Sequence, residues 1–269
     1  MDYTTLERHV RSLADVADVG EYGHVMEGGR RYALLRVRTP GARRLLITAG
    51  FHGEEPAGPK TLALHLRAVI AEANAAGVAL DVFPCVNPSG FDAGTRYNAS
   101  GHGPNNDFLR YEGLLGETIL LRRPGQPVRG AFFADGVPAE THALREALHA
   151  EPAPHAALDI HQDAYISDPC FYVYVFGERH GFRSALAASA ALVPALTDTD
   201  VDSGYAPGEG LSSDAEACIE FHDGSITDWM RHRGTPFCAA LETTTATPFE
   251  VSNEVNLVWV RAFLRLAAG

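Results

Sequence analysis

Apolar and polar positions along this chain switch repeatedly between a two-residue and a near-four-residue period, and the switches divide it into alternating strands and helices. A first helix is expected from a cap at Thr4 or Thr5 to about residue 16. Strands follow near 19–26 and 32–37, joined by a Glu27-Gly28-Gly29-Arg30 turn. The run 44–49 reads as a buried strand, 58–75 as a helix and 79–84 as a short strand. Residues 87–130 are rich in Gly, Pro and Asn and too long for a mere connection, which points to a functional loop. Helices at 138–149, 179–191, 225–232 and 253–266, and strands at 155–160, 171–176 and 235–241, complete the pattern. Such alternation predicts an α/β fold: one mixed, mostly parallel sheet with helices on both faces. No repeat, low-complexity stretch or domain boundary interrupts it, so residues 1–269 are expected to form a single catalytic domain.

Composition narrows the class. With 46% apolar residues the chain can bury a full core, and Trp229 and Trp259, each inside an apolar helical pattern, are expected in it. No run of about eighteen apolar residues exists, so no membrane partner is expected. The first residues lack a signal-peptide pattern, from which a cytoplasmic protein is expected. Cys85, Cys170, Cys218 and Cys238 are widely spaced, mostly in apolar runs, and read as buried free thiols. The net charge of -12, with Lys60 the only lysine, argues against nucleic acid. No Lys or Arg occurs between Ser184 and Met230, while Asp198, Asp200, Asp202, Glu209, Asp214, Glu216, Glu220, Asp223 and Asp228 all fall there. A solvated face is the ordinary reading of such a run; attraction of a cationic substrate group is the other.

Where the apolar run 44–49 ends stands His52-Gly53-Glu54-Glu55, and a distant Asp159-Ile160-His161 ends another. His52, Glu55 and His161 supply two imidazoles and a carboxylate, the donor set of a catalytic zinc site that leaves a fourth position for water. Taken singly, each histidine among twelve is more often a surface or core residue. Asp159 shares a strand face with His161 and could orient its ring, with Asp163 a rival. Glu242, ending the apolar stretch 239–241, is the candidate general base, against the ordinary reading of a strand-end cap. Arg96 could meet charge developing on a carbonyl oxygen, against a solvated loop arginine. His52, His161 and Glu242 all fall at carboxyl ends of predicted strands, where such sheets bind ligands. Ser89 and Ser225 lack a G-x-S-x-G elbow, which disfavours a serine hydrolase.

These blocks, with Asn87-Pro88-Ser89-Gly90, Gly94-Thr95-Arg96-Tyr97-Asn98-Ala99-Ser100-Gly101, Gly224-Ser225-Ile226-Thr227-Asp228-Trp229 and Leu241-Glu242, resemble in order the zinc metallocarboxypeptidase family, carboxypeptidase A-like, including its short bacterial members. The resemblance implies Zn2+ on His52, Glu55 and His161, with Arg96 polarising the carbonyl and Glu242 as base. It puts Thr227 in the block that builds the family's specificity pocket. Where the family has an Asn-Arg pair gripping the substrate's terminal carboxylate, this chain has Asn105 and Asn106, and a neutral amide cannot form that clamp. Arg110 could reach in instead. The family's mobile tyrosine falls near residues 219–222, where none is tyrosine, and its task could pass to His222 or Glu220 or be absent. His102 and His222 otherwise read as solvated. The expected activity is zinc-dependent hydrolysis of an amide bond in a short peptide or peptide-like substrate. The alternatives are an N-acyl amino acid deacylase of the succinylglutamate desuccinylase/aspartoacylase type, whose substrate would be an acyl-amino acid, and a non-catalytic binding protein on the same fold.

Overall fold

The computed structural model describes residues 1–119, 126–201 and 211–269. Eleven strands are described: β1 (Asp18–Glu27), β2 (Arg30–Arg38), β3 (Arg43–Ala49), β4 (Val78–Phe83), β5 (Arg110–Glu112), β6 (Thr118–Ile119), β7 (Gly130–Phe132), β8 (Ala156–Asp163), β9 (Phe171–Gly177), β10 (Cys218–Ile219) and β11 (Phe237–Thr244). The helices are α1 (Tyr3–Arg11), α2 (Ala57–Ala76), α3 (Pro88–Ala93), α4 (Ala139–His149), α5 (Arg183–Ala190), α6 (Ile226–His232) and α7 (Phe249–Ala268). Eight strands form one mixed sheet in the order β1-β2-β4-β3-β8-β11-β9-β10. Its centre, β4-β3-β8-β11, is parallel, and antiparallel pairing enters through β1, β2 and β9.

Alternation along the central strands sorts side chains to two faces. Leu45, Ile47, Leu158, Ile160, Ala239, Leu241, Val173 and Val175 pack with α2 and α7 residues such as Leu66, Trp259 and Phe263. On the opposite face Leu46, Ala157, Cys238 and Phe176 pack with Leu144 and Leu148 of α4 and Ile226, Trp229 and Met230 of α6. Covered on both sides, β8 is buried along its whole length, as expected of a parallel strand between helices. Each large side chain so buried contributes roughly 1.5–3 kcal/mol.

The expected sheet and both tryptophans in the core are observed, and the four cysteines are buried and free. Boundaries differ in instructive ways. The cap of α1 is Asp2, whose carboxylate accepts from Thr5 N, and the helix stops at Arg11. The expected loop 87–130 carries α3 and a small sheet, β6-β5-β7. The expected helix 179–191 opens with a 3-10 turn (Arg179–Phe182) before α5. Strands β8 and β11 run past their apolar stretches to Asp163 and Thr244, so His161 and Glu242 lie inside the sheet, where ladder bonds hold them. Of the acidic run, Asp202 and Glu209 lie outside the described residues. Among those described, no helix is long and apolar enough to cross a membrane.

Candidate metal centre and cleft

Strand β3 delivers the chain to Phe51 and His52, and the turn through Glu55 closes before α2 begins at Ala57. His161 comes from the neighbouring strand β8. Glu55 sits between the rings, with Oε1 2.6 Å from His52 Nδ1 and Oε2 2.8 Å from His161 Nδ1. One ligand atom from each residue falls within 4.8 Å of the others, and all three residues are buried. His161 Nε2 is engaged by Asp159 Oδ2 at 2.8 Å, which orients the ring and leaves Nδ1 turned to the cluster. Asp159 is itself held by Thr48 Oγ1 and by the amide of Ile160. Its sequence rival Asp163 is occupied elsewhere, accepting from Tyr165 N, Ile166 N and the Tyr172 hydroxyl. Phe51 stacks on the His161 ring, with centroids 6.0 Å apart.

The electrostatics favour a cation at this spot. Burial alone would raise the Glu55 carboxyl, but the two imidazoles override it and hold it down at about 2. Burial would lower His161, yet Asp159 and Glu55 push it well above the usual imidazole range. A pocket that draws a proton between two carboxylates attracts positive charge, and two nitrogens with one carboxylate are a suitable donor set for a divalent metal.

Gly53 and Asn87 lock the turn in place, and Gly224 does the same for the loop on the other side of the cleft. A Cβ on Gly53 would stand 1.9 Å from the carbonyl carbon of Gly90, so only glycine lets the turn lie against α3. Asn87, the α3 cap, accepts from Gly90 N and donates to the carbonyls of Phe51 and Arg96, tying both loops together. Arg96 thereby reaches the cluster, 3.3 Å from Glu54 Oε1 and 3.4 Å from Glu55 Oε1. Gly224, at φ +78, meets Leu109 so closely that a Cβ would lie 2.0 Å from its carbonyl oxygen. Its own carbonyl accepts from the amides of Phe108 and Leu109, which joins the 105–110 loop to α6.

Glu242 on β11 pairs in register with His161 on one side and Tyr172 on the other. Its Oε2 is buried and has no hydrogen-bond partner among the described residues. Burial pushes its carboxyl well above the usual range; the charge of His161 opposes this, and Glu55, Asp163 and Asp159 add to it. Two cavities meet here, sharing His52, Arg96, Tyr174, Leu211 and Glu242. One, of about 360 Å³, runs to Asn105, Asn106, Arg110, Phe221, Asp223 and Ser225. The other, of about 490 Å³, runs to Asp163, Tyr165, Tyr172 and Val201.

The remaining candidates divide. Asn105, Asn106 and Arg110 line the first cavity. The Arg110 guanidinium, however, is paired with Asp107 and donates to the Asn106 carbonyl. Thr227 and His222 are absent from the lining of either cavity. Thr227 is buried with its hydroxyl 3.3 Å from that of Ser225. His222 Nδ1 lies 2.7 Å from Oδ1 of the buried Asp228, which also accepts from Tyr111 and Gly224 N. That helix instead presents Ser225 and the preceding Asp223 to the cleft. The phenol common to both cavities comes from Tyr174 on β9, which the sequence reading missed. The signal was present, since Tyr172, Tyr174 and Phe176 alternate on one strand face opposite Glu242, Ala240 and Cys238.

No protein-family model and no curated protein matches this chain. Solved structures do. A provisionally named metallopeptidase of Shewanella amazonensis is 26% identical with a TM-score of 0.67, covering 98% of this chain and 91% of that one. Another, from Shewanella baltica, is 23% identical with a TM-score of 0.73 over 98% and 91%. A metallo-carboxypeptidase of Burkholderia cenocepacia is 19% identical with a TM-score of 0.58 over 97% and 68%. The fold is therefore metallocarboxypeptidase-like, as the order of the sequence blocks implied.

Proposed function

We propose that this protein is a zinc-dependent hydrolase that cleaves an amide bond in a short peptide or peptide-like substrate. The observation that carries the reading is the buried His52-Glu55-His161 cluster with the unpartnered oxygen of Glu242 beside it on the same cleft. Held by those three residues, the ion would supply Lewis acidity, polarising a carbonyl and making a water acidic enough to attack it. Glu242 is the group to take the proton from that water and pass it to the departing amine, because its buried oxygen has no competing donor and its proton affinity is raised. Arg96, fixed by Glu54 and Glu55, offers positive charge to the carbonyl oxygen as it becomes negative. Asp159 keeps His161 turned so that Nδ1 faces the ion.

The structural neighbours, being metallopeptidases by name, favour this over the N-acyl amino acid deacylase. A binding protein without turnover has no use for a buried, unpartnered carboxylate oxygen at the metal cluster. Elemental analysis together with hydrolysis of matched short peptides and N-acyl amino acids tests the reading. Zinc near one per chain and peptide cleavage are expected, and Glu242→Gln should keep the metal while lowering kcat at least about a hundredfold. Near-normal turnover in a metal-replete Glu242→Gln protein would move the base elsewhere, with Glu54 next. Cleavage of acyl-amino acids alone would install the deacylase reading, and metal binding without any turnover the binding protein.

A further inference from the structure

The first cavity is poor in free cations, and its polar wall carries a carboxylate that no cation among the described residues pairs. Its two arginines are already engaged: Arg110 with Asp107 and the Asn106 carbonyl, and Arg96 with Glu54 and Glu55 beside the His-Glu-His cluster, where its charge serves the reacting carbonyl. The Asn106 amide, the donor that stands where a clamp would need an arginine, already gives one of its N–H groups to Asp223 Oδ2 at 2.5 Å. Asp223 receives neutral donors, that amide together with the backbone and side chain of Ser225, and makes no ion pair among the described residues. Loss of water at the cavity wall and the nearby Asp228 push its carboxyl up to about 6, a shift that a cation placed beside it would reverse. Asn105 Oδ1, in the same lining, is buried without a partner among the described residues. Phe176, Phe221 and Leu211 supply apolar wall to the same cavity.

A carboxylate entering here would lose its water and meet acceptors, whereas an ammonium would satisfy them. We infer that this cavity receives a positively charged, hydrogen-bond-donating end of the substrate, an ammonium on an aliphatic stem, and not a free carboxylate. The inference deepens the hydrolase reading and rests on it.

The test uses the zinc-loaded protein and matched amides whose four-carbon tail ends in ammonium, carboxylate or methyl. The tail is placed once on the amine side and once on the acyl side, since the cavity serves one of the two. Both kcat/KM and Kd by calorimetry are measured. In one series the ammonium compound should exceed the carboxylate compound at least about tenfold, the scale of one charge-assisted hydrogen bond. Asp223→Asn, which keeps the shape and the bond from Ser225 N while an amide nitrogen replaces the oxygen that accepts from Asn106, should remove most of that preference in the same series. Asn106→Arg should turn it towards the carboxylate. Carboxylate preferred in the series that responds to Asp223→Asn, or no response in either series, overturns the inference. If nothing is cleaved while binding keeps the ammonium preference and its dependence on Asp223, the cavity assignment stands and the hydrolase reading falls. Cleavage with carboxylate favoured in both series does the reverse.

Discussion

The His52-Glu55-His161 cluster and the Asn106–Asp223 part of the first cavity lie in one cleft but are held in different ways. His161 and Glu242 sit inside central strands, paired in register, and His52 and Glu55 sit on a turn pressed against α3 at Gly53 and tied by Asn87. His161 has buried support in series, Asp159 behind its ring and Thr48 behind Asp159. In the other part, Asn106 is exposed and Arg110 and Asp223 are partly so, and their bonds run between one loop and the residues before α6. Positions on a rigid frame hold a reacting geometry within tight limits, while loop positions can change side chain without disturbing that frame. The difference explains how the chain keeps the whole metal cluster of the resemblance and yet has Asn106 where the clamp arginine would be.

That contrast can be broken at its strongest point first. His161→Ala should strip the metal, lowering affinity by more than the roughly 10–100-fold that loss of a mere supporting partner costs. Elemental analysis after dialysis checks it, and undiminished zinc would remove His161 from the cluster. Asp159→Asn should leave the ligands intact and lower metal affinity by about 10–100-fold, read by competition with a chelator. An unchanged affinity would mean that the strand alone orients the His161 ring. At the loop end the expected effect is smallest. Because Arg110 is already paired with Asp107 and partly exposed, Arg110→Ala should shift the preference between free and amidated C-termini by less than about threefold. A rise in KM of tenfold or more for the free-acid substrates alone would show that Arg110 leaves Asp107 to grip a carboxylate.

Much of this molecule was readable from residue order alone. Periodicity sufficed for the alternating strands and helices, because burial on both faces leaves continuous apolar runs in β3, β8 and β11. The candidates His52, Glu55, Asp159, His161 and Glu242 stood out together, through the joint order of the blocks that carry them, since each taken singly has an ordinary reading. What residue order left open were choices between partners. Asp159 and Asp163 are both spaced to reach His161, and only the packed sheet shows Asp163 bound instead to Tyr172. Thr227 and His222 carried suitable chemistry, but the turn at Gly224 gives the cleft Asp223 and Ser225 in their place. Tyr174 comes to the cleft through antiparallel pairing of β9 with β11, and the pairing of Arg110 with Asp107 closes a route that its position in the chain had left open. Local pattern is set by which face each side chain must bury, a property of neighbours in sequence. Which of several polar groups meets which depends on distances that exist only once the sheet is assembled.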